Sequence, residues 1–233
     1  MKPKFVVIEG LDGSGKSTQI SLLQEYLQKQ RVDYRHIHFP RLGQGTFGAL
    51  VAEFLRGSFG KLEDVHPKLV ALLYAGDRHD FADTIRQWLG EGNLVIADRY
   101  VYSNIAFQCA KTSDEKEKYA LRNWILGLEY SYYQIPVPDL SIFLNVPIKA
   151  AAEAMTDDSV RNGRDYLDGA RDIHEADLDF QSRVHQEYLQ LVSSVENFHL
   201  IPCIDDTGQR CSPLQTHAAI VRKLQEMNIL VKS

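Results

Sequence analysis

Residues 5–18 read Phe5-Val6-Val7-Ile8-Glu9-Gly10-Leu11-Asp12-Gly13-Ser14-Gly15-Lys16-Ser17-Thr18, an apolar run opening into G-x-x-x-x-G-K-[ST] and then into a helical pattern. The order strand, glycine-rich loop, helix separates a working phosphate loop from a chance match. Glycines let the backbone wrap closely round an anion, so that successive N–H groups point at it. Lys16 adds a mobile positive charge near a transferring phosphate, and the Ser17 hydroxyl can ligate Mg²⁺. On this reading Gly10, Leu11, Asp12, Gly13, Ser14, Gly15, Lys16, Ser17 and Thr18 together bind a nucleoside triphosphate.

Outward from the loop, strand-like runs recur at 4–9, 34–39, 93–98, 139–145 and 197–202. Helical stretches separate them, over 16–30, 45–55, 67–89, 102–110, 114–132, 148–154, 173–194 and 213–227. The first shows its stripe at Ile20, Leu23 and Leu27. The 67–89 stretch has Pro67 near its first turn and Gly90 and Gly92 beyond its end. Strands alternating with helices predict an α/β fold, a five-stranded parallel sheet with helices on both faces. With no repeat or Pro/Gly linker, residues 1–233 read as one domain. Residues 156–172 break the pattern: they are polar, contain Gly163 and Gly169, and read as a loop or a lid.

The composition narrows the function. Across 233 residues, 44% are hydrophobic and 24% charged, with a formal net charge of −5. That balance argues against a bulk-charge grip on nucleic acid, so a phosphate site must be built from local arginines and backbone amides. The three cysteines, Cys109, Cys203 and Cys211, lack metal-ligand spacing and read as thiols of a reducing compartment. The first strand begins too early to leave room for a signal peptide, and no apolar stretch approaches the roughly 18 residues of a membrane span. The expectation is a cytoplasmic protein.

In a parallel sheet, ligands collect at the carboxyl ends of the strands. The second strand ends in Phe39-Pro40-Arg41, and the third, Leu94-Val95-Ile96-Ala97, ends in Asp98-Arg99-Tyr100. Asp98 fits the acidic partner of a phosphate loop, holding Mg²⁺ directly or through water. Arg41 and Arg99, converging in an acidic chain, predict a second anion site beside the triphosphate. A neutral hydroxyl acceptor would call for a carboxylate to take its proton. An acceptor that already carries a phosphate needs arginines instead, so Arg41 favours a monophosphate, with Asp98 or Glu9 left open as a base.

With these motifs in place, the chain resembles the thymidylate kinase (dTMP kinase) family over most of its length. The resemblance rests on the opening loop with Glu9 and Asp12, on Phe39-Pro40-Arg41, on Leu72-Leu73-Tyr74-Ala75-Gly76-Asp77-Arg78, and above all on residues 98–108. The last stretch is close to the pattern D-R-Y-x-x-S-x-x-A-[YF]-Q. The resemblance implies phosphoryl transfer from ATP to dTMP with Mg²⁺, giving ADP and dTDP in dTTP synthesis. Lys16 would bridge the ATP phosphates, Ser17 would ligate the metal, and Asp12 would reach the sugar 3′-hydroxyl of the monophosphate. Arg41, Arg78 and Arg99 would hold its phosphate, Tyr74 would stack on thymine, and Ser103, Phe107 and Gln108 would line the base and sugar pocket beside Phe39 and Pro40. A homodimer, packed partly through the helix after the second strand, is also implied.

In the same family, members without an arginine in the phosphate loop tend to carry it in the lid. Gly13 occupies that loop position here, so an arginine from 156–172 is implied, Arg164 first, with Arg161 and Arg171 as alternatives. Two features depart from the family pattern: Asn145 stands where Asp is usual, and Asp172-Ile173-His174-Glu175 differs after the lid. Residues 205–209 are the adenine neighbourhood by analogy. The rival readings are a deoxynucleoside kinase, a UMP or CMP kinase, and a slowly hydrolysing nucleotide switch.

Overall fold

The computed structural model describes residues 4–61, 64–155, 178–205 and 208–231. The lid segment 156–172, with Arg161, Arg164 and Arg171, lies outside the described residues, as do residues 173–177 at the start of the expected 173–194 helix.

Five strands, β1 (Lys4–Glu9), β2 (Tyr34–His38), β3 (Leu94–Asp98), β4 (Leu140–Asn145) and β5 (Phe198–Pro202), pair in parallel in the order β2-β3-β1-β4-β5. The three central strands are buried almost throughout, whereas β2 at the edge is largely open. Continuous apolar runs are what a sheet covered on both faces requires.

Alternation along each strand distributes its side chains between two layers. Val6 and Ile8 of β1, with Ile96 and Ile142, face one layer, packing on Ile20, Leu23 and Leu27 of α1 (Lys16–Lys29) and Ile220 and Leu224 of α8 (Pro213–Glu226). Phe5 and Val7, with Val95 and Phe143, face the other. There they meet α3 (Pro67–Gly90), α4 (Val101–Cys109), α5 (Glu115–Leu126) and α7 (Leu178–Ser194). The α2 helix (Gly45–Leu55) packs Val51, Phe54 and Leu55 on Val70 of α3. Their approach depends on Gly76, where a Cβ would come within 2.5 Å of the Phe47 ring. The short α6 (Ile148–Met155) follows β4.

Element ends match the expected ones to within a residue or two except after α5, the start of α7 aside, since residues 173–177 lie outside the described residues. The 114–132 stretch is α-helical only to Leu126, and Gly127–Tyr132 winds as a π-helix, with Tyr133 N donating to Leu128 O. The wider turn brings Glu129 wholly inside, which a period of 3.6 does not foretell. No described helix is long and apolar enough to cross a membrane.

The chain leaves β1 through α1 on one face and leaves β3 through α4 on the other. Neighbouring strands whose connections diverge open a crevice at their carboxyl ends. Both Gly10–Lys16 and Asp98–Tyr100 empty into that crevice.

Candidate functional site

The loop after β1 ends in α1, whose N-cap, Gly15, has φ 87° and offers no side-chain cap. Only glycine adopts that backbone without strain. The first amides of α1 are therefore left for an anion, the arrangement by which helix N-termini bind phosphate. Gly10 is needed for closeness, because a Cβ there would stand 2.6 Å from Ser14 Oγ. Lys16 folds back over the loop, its Nζ donating to Gly10 O at 3.1 Å and Leu11 O at 2.8 Å. Burial, with the charge of Arg99, lowers the Lys16 ammonium to about 8, against the pull of Asp12, Asp98 and Glu9.

The turn after β3 is held just as tightly. Arg99 has φ 65°, a conformation that costs a non-glycine residue about 1 kcal/mol or more and persists only where neighbours enforce it. Here Arg99 N donates to Ile8 O and Tyr100 N to Glu9 Oε1, both at 2.9 Å. The Arg99 fork then reaches Asp12 Oδ1 at 2.7 Å and Ser103 Oγ at 3.1 Å, over the face of Phe107. Glu9, wholly buried, bonds Ser103 Oγ, accepts from Ser103 N and takes the Tyr188 hydroxyl at 3.0 Å. Desolvation raises its pKa despite those bonds. Glu9 is thus a buried brace and not a base facing the crevice.

One cavity of about 500 Å³ joins these parts. Of the expected site residues, Asp12, Gly13, Gly15, Lys16, Ser17, Thr18, Phe39, Pro40, Tyr74, Arg78, Asp98, Arg99, Ser103, Phe107 and Gln108 line it. Leu11 and Ser14 lie buried beneath. Arg41 is not in the lining. Its backbone N and Nε donate to the two Asp77 carboxylate oxygens at 2.8 and 3.0 Å, and its guanidinium lies 4.8 Å from the Phe81 ring centre. Arg78 lines the cavity but is already paired, at 2.5 and 2.6 Å, with Glu129 from the π-helix.

Asp98, Gln108 and Asn104, which line this cavity, each carry a polar atom with no hydrogen-bond partner among the described residues. Asp98, only 5% exposed, is bonded through Oδ2 to His38 Nδ1 at 3.0 Å while Oδ1 is unpartnered. Burial opposes ionisation of Asp98, but the His38 hydrogen bond and the Lys16 charge outweigh it and hold its pKa below the usual value. A carboxylate oxygen left open beside the Ser17 hydroxyl suits a cation that takes one or two protein oxygens and completes its shell with water and phosphate, as Mg²⁺ does. Gln108 has zero exposure and neither its Oε1 nor its Nε2 is bonded. Asn104 donates to Ala71 O and Glu129 Oε1 but leaves its own Oδ1 open. A buried amide with an open acceptor is costly unless a ligand completes it.

Sequence reasoning missed His38, Asn104, Tyr188 and Arg210, all in or against this site. Asn104 sits inside the quoted 98–108 motif, so its signal was available; the others are brought in by tertiary contacts. Asn145, the departure in β4, meets His185 Nε2 at 2.6 Å.

Comparison with known proteins agrees with this geometry. The family model described as thymidylate kinase matches residues 8–208. A thymidylate kinase of Mycobacterium tuberculosis is 31% identical over 190 residues, 81% of this chain and 86% of that one. One from Bifidobacterium longum is 32% identical over 221 residues, 92% and 85% of the respective chains. A solved thymidylate kinase from Candida albicans superposes with a TM-score of 0.72 at 24% identity, over 97% of this chain and 93% of that one, and shows the same fold.

Proposed function

This chain belongs to the thymidylate kinase family, and from that premise we propose that its cavity passes the γ-phosphate of ATP to dTMP, giving ADP and dTDP on the way to dTTP. The observation that supports the reading is that one cavity is lined both by an uncapped helix N-terminus with Lys16 and by Arg99 and Arg78 with Tyr74 and Gln108, groups suited to two anions and a base.

The acceptor phosphate is ionised at neutral pH, so its oxygen attacks without a general base. Catalysis then consists of alignment and charge neutralisation. Lys16 leaves the Gly10 and Leu11 carbonyls to bridge the donor phosphates. Arg99, fixed by Asp12 and Ser103, holds the acceptor phosphate in line, with Arg78 beside it. Asp12 takes the sugar 3′-hydroxyl. Tyr74 stacks on the base, Phe39, Pro40 and Phe107 wall the pocket, and Gln108 and Asn104 complete the polar edge of thymine. Arg41, engaged by Asp77, keeps the turn after β2 in place. Ser17 Oγ and Asp98 Oδ1 would hold Mg²⁺, which when bound neutralises charge on the β- and γ-phosphates. Arg164 supplies a further cation to the transferring group; Arg164→Ala lowers kcat by about 100-fold or more and leaves dTMP binding nearly intact. A kcat within threefold of wild type removes Arg164 from that role.

The chain is taken to act as one domain, as a homodimer and in the cytoplasm. The three free thiols support the third point; light scattering tests the dimer.

The deciding experiment is ADP release from ATP with dTMP, thymidine, UMP and CMP offered in parallel, beside Lys16→Ala. A rate with dTMP that far exceeds the rest and vanishes in the variant supports the assignment. Preference for thymidine, or for UMP or CMP, overturns it.

A further inference from the structure

Arg210 belongs to neither the phosphate-loop motif nor any role given above. It follows β5, where Ile204 and Arg210 pair as an antiparallel bridge and Cys211 N donates to Cys203 O at 2.9 Å. Its backbone is thereby tied to the end of the sheet. From there the side chain crosses to the phosphate loop. Nη2 donates to Gly13 O and Nη1 to Ala150 O, both at 3.2 Å. Nη2 also stands 3.4 Å from where a Cβ on Gly15 would be, so the glycine leaves it room. Arg210 lines the same cavity as Lys16, Ser17 and Asp98.

The cavity's arginines differ in their partners. Arg99 is paired with Asp12 and Arg78 with Glu129, so each already faces a carboxylate. Arg210 bonds two neutral carbonyls instead. A guanidinium on carbonyls keeps its full charge for an anion, and a long neutral bond is weaker than a charge-assisted bond to a phosphate oxygen. Its planar fork can also hold one carbonyl while another edge turns to a ligand.

We propose that Arg210 contacts the phosphate chain of the donor nucleotide, supplying from the β5–α8 connection a positive charge that the loop, with glycine at position 13, does not carry. The proposal rests on the phosphate-loop reading of the site.

The test is calorimetric titration of ADP and of inorganic tripolyphosphate into the full chain and its Arg210→Gln, Arg210→Lys and Lys16→Ala variants, with KM for dTMP measured alongside. Gln keeps a donor for Gly13 O but loses the charge; Lys keeps the charge. Arg210→Gln is expected to weaken both ligands by about tenfold or more, with the dTMP KM within about twofold of wild type. Arg210→Lys is expected to stay within about threefold of wild type. Wild-type affinity in Arg210→Gln, with Lys16→Ala weakened, overturns the role of Arg210 and leaves the phosphate loop standing. Loss of ADP affinity with tripolyphosphate unchanged overturns it in favour of a contact to the base. A wild-type chain that binds neither ligand overturns the phosphate-loop reading itself.

Discussion

Arg99 Nη2 lies 2.7 Å from Asp12 Oδ1, joining the turn after β3 to the phosphate loop across 87 positions of sequence. Both residues line the cavity, and desolvation of Arg99 is outweighed by the Asp12 charge, so its pKa is raised further above the usual value. An arginine so fixed needs little reorganisation to receive an acceptor phosphate, and preorganisation is where most transition-state stabilisation arises.

Arg99 and Arg41 therefore separate under mutation. Arg99→Ala is expected to lower kcat/KM for dTMP by about 100-fold or more. Arg41→Ala, which removes a group bound to Asp77 outside the cavity lining, is expected to cost about tenfold or less. Steady-state kinetics on both variants decides it; equal losses would place Arg41 on the substrate.

Gln108 is expected to trade stability against activity. Its amide is buried with donor and acceptor both unpartnered, so Gln108→Leu removes an unsatisfied polar group and holds or raises Tm. The same change leaves the base edge without its reader and lowers kcat/KM for dTMP by about 30-fold or more. A fall in Tm with unchanged kinetics would make Gln108 a core residue only.

Glu129→Gln tests the buried pair with Arg78. Removing one charge of such a pair leaves the other uncompensated and costs about 3 kcal/mol, or about 8 °C in Tm. Because Asn104 Nδ2 shares the Glu129 carboxylate at 2.9 Å, the KM for dTMP is expected to rise as well. A variant as stable as wild type would show that the pair adds nothing to the fold.

Lys111 makes stability depend on pH. Its Nζ is buried without a hydrogen-bond partner, 5.1 Å from the centre of the Phe54 ring, and desolvation lowers its pKa from 10.5 to about 7. Between pH 7 and 10.5 the unfolded chain holds a proton there that the folded chain has released, so this group's contribution to stability rises with pH across that window and is flat below it. Lys111→Met removes that slope and stabilises the fold at pH 7 by about 2 kcal/mol, or about 5 °C, the Phe54 face having offset part of the cost of burying charge. Thermal melts at pH 6.5, 8 and 9.5 check this; parallel curves for wild type and variant would contradict it.

How far the sequence reached differs between the fold and the site. The sheet was legible because Phe5-Val6-Val7-Ile8 and Leu94-Val95-Ile96-Ala97 are uninterrupted apolar runs, and only burial on both faces accounts for them. The phosphate loop was legible because Gly13 and Gly15 and the uncapped start of α1 are local properties of the backbone. The motif at 98–108 placed Ser103, Phe107 and Gln108 on one short helix, directly after the turn that carries Arg99.

Charge pairing was decided by tertiary structure. Arg41 reads as an acceptor clamp because it follows a strand at the right edge of the sheet; the fold adds that Asp77, 36 positions on, holds its fork. Arg78 meets Glu129 only because the π-helix at Gly127–Tyr132 turns that carboxylate inward. Arg210 reaches Gly13 from 197 positions away. By itself the sequence determined the elements and the phosphate loop, since those follow from near-neighbour sterics and periodic burial. Only the fold decided which carboxylate meets which arginine and which arginines line the cavity, because such placement depends on distances that no local pattern encodes.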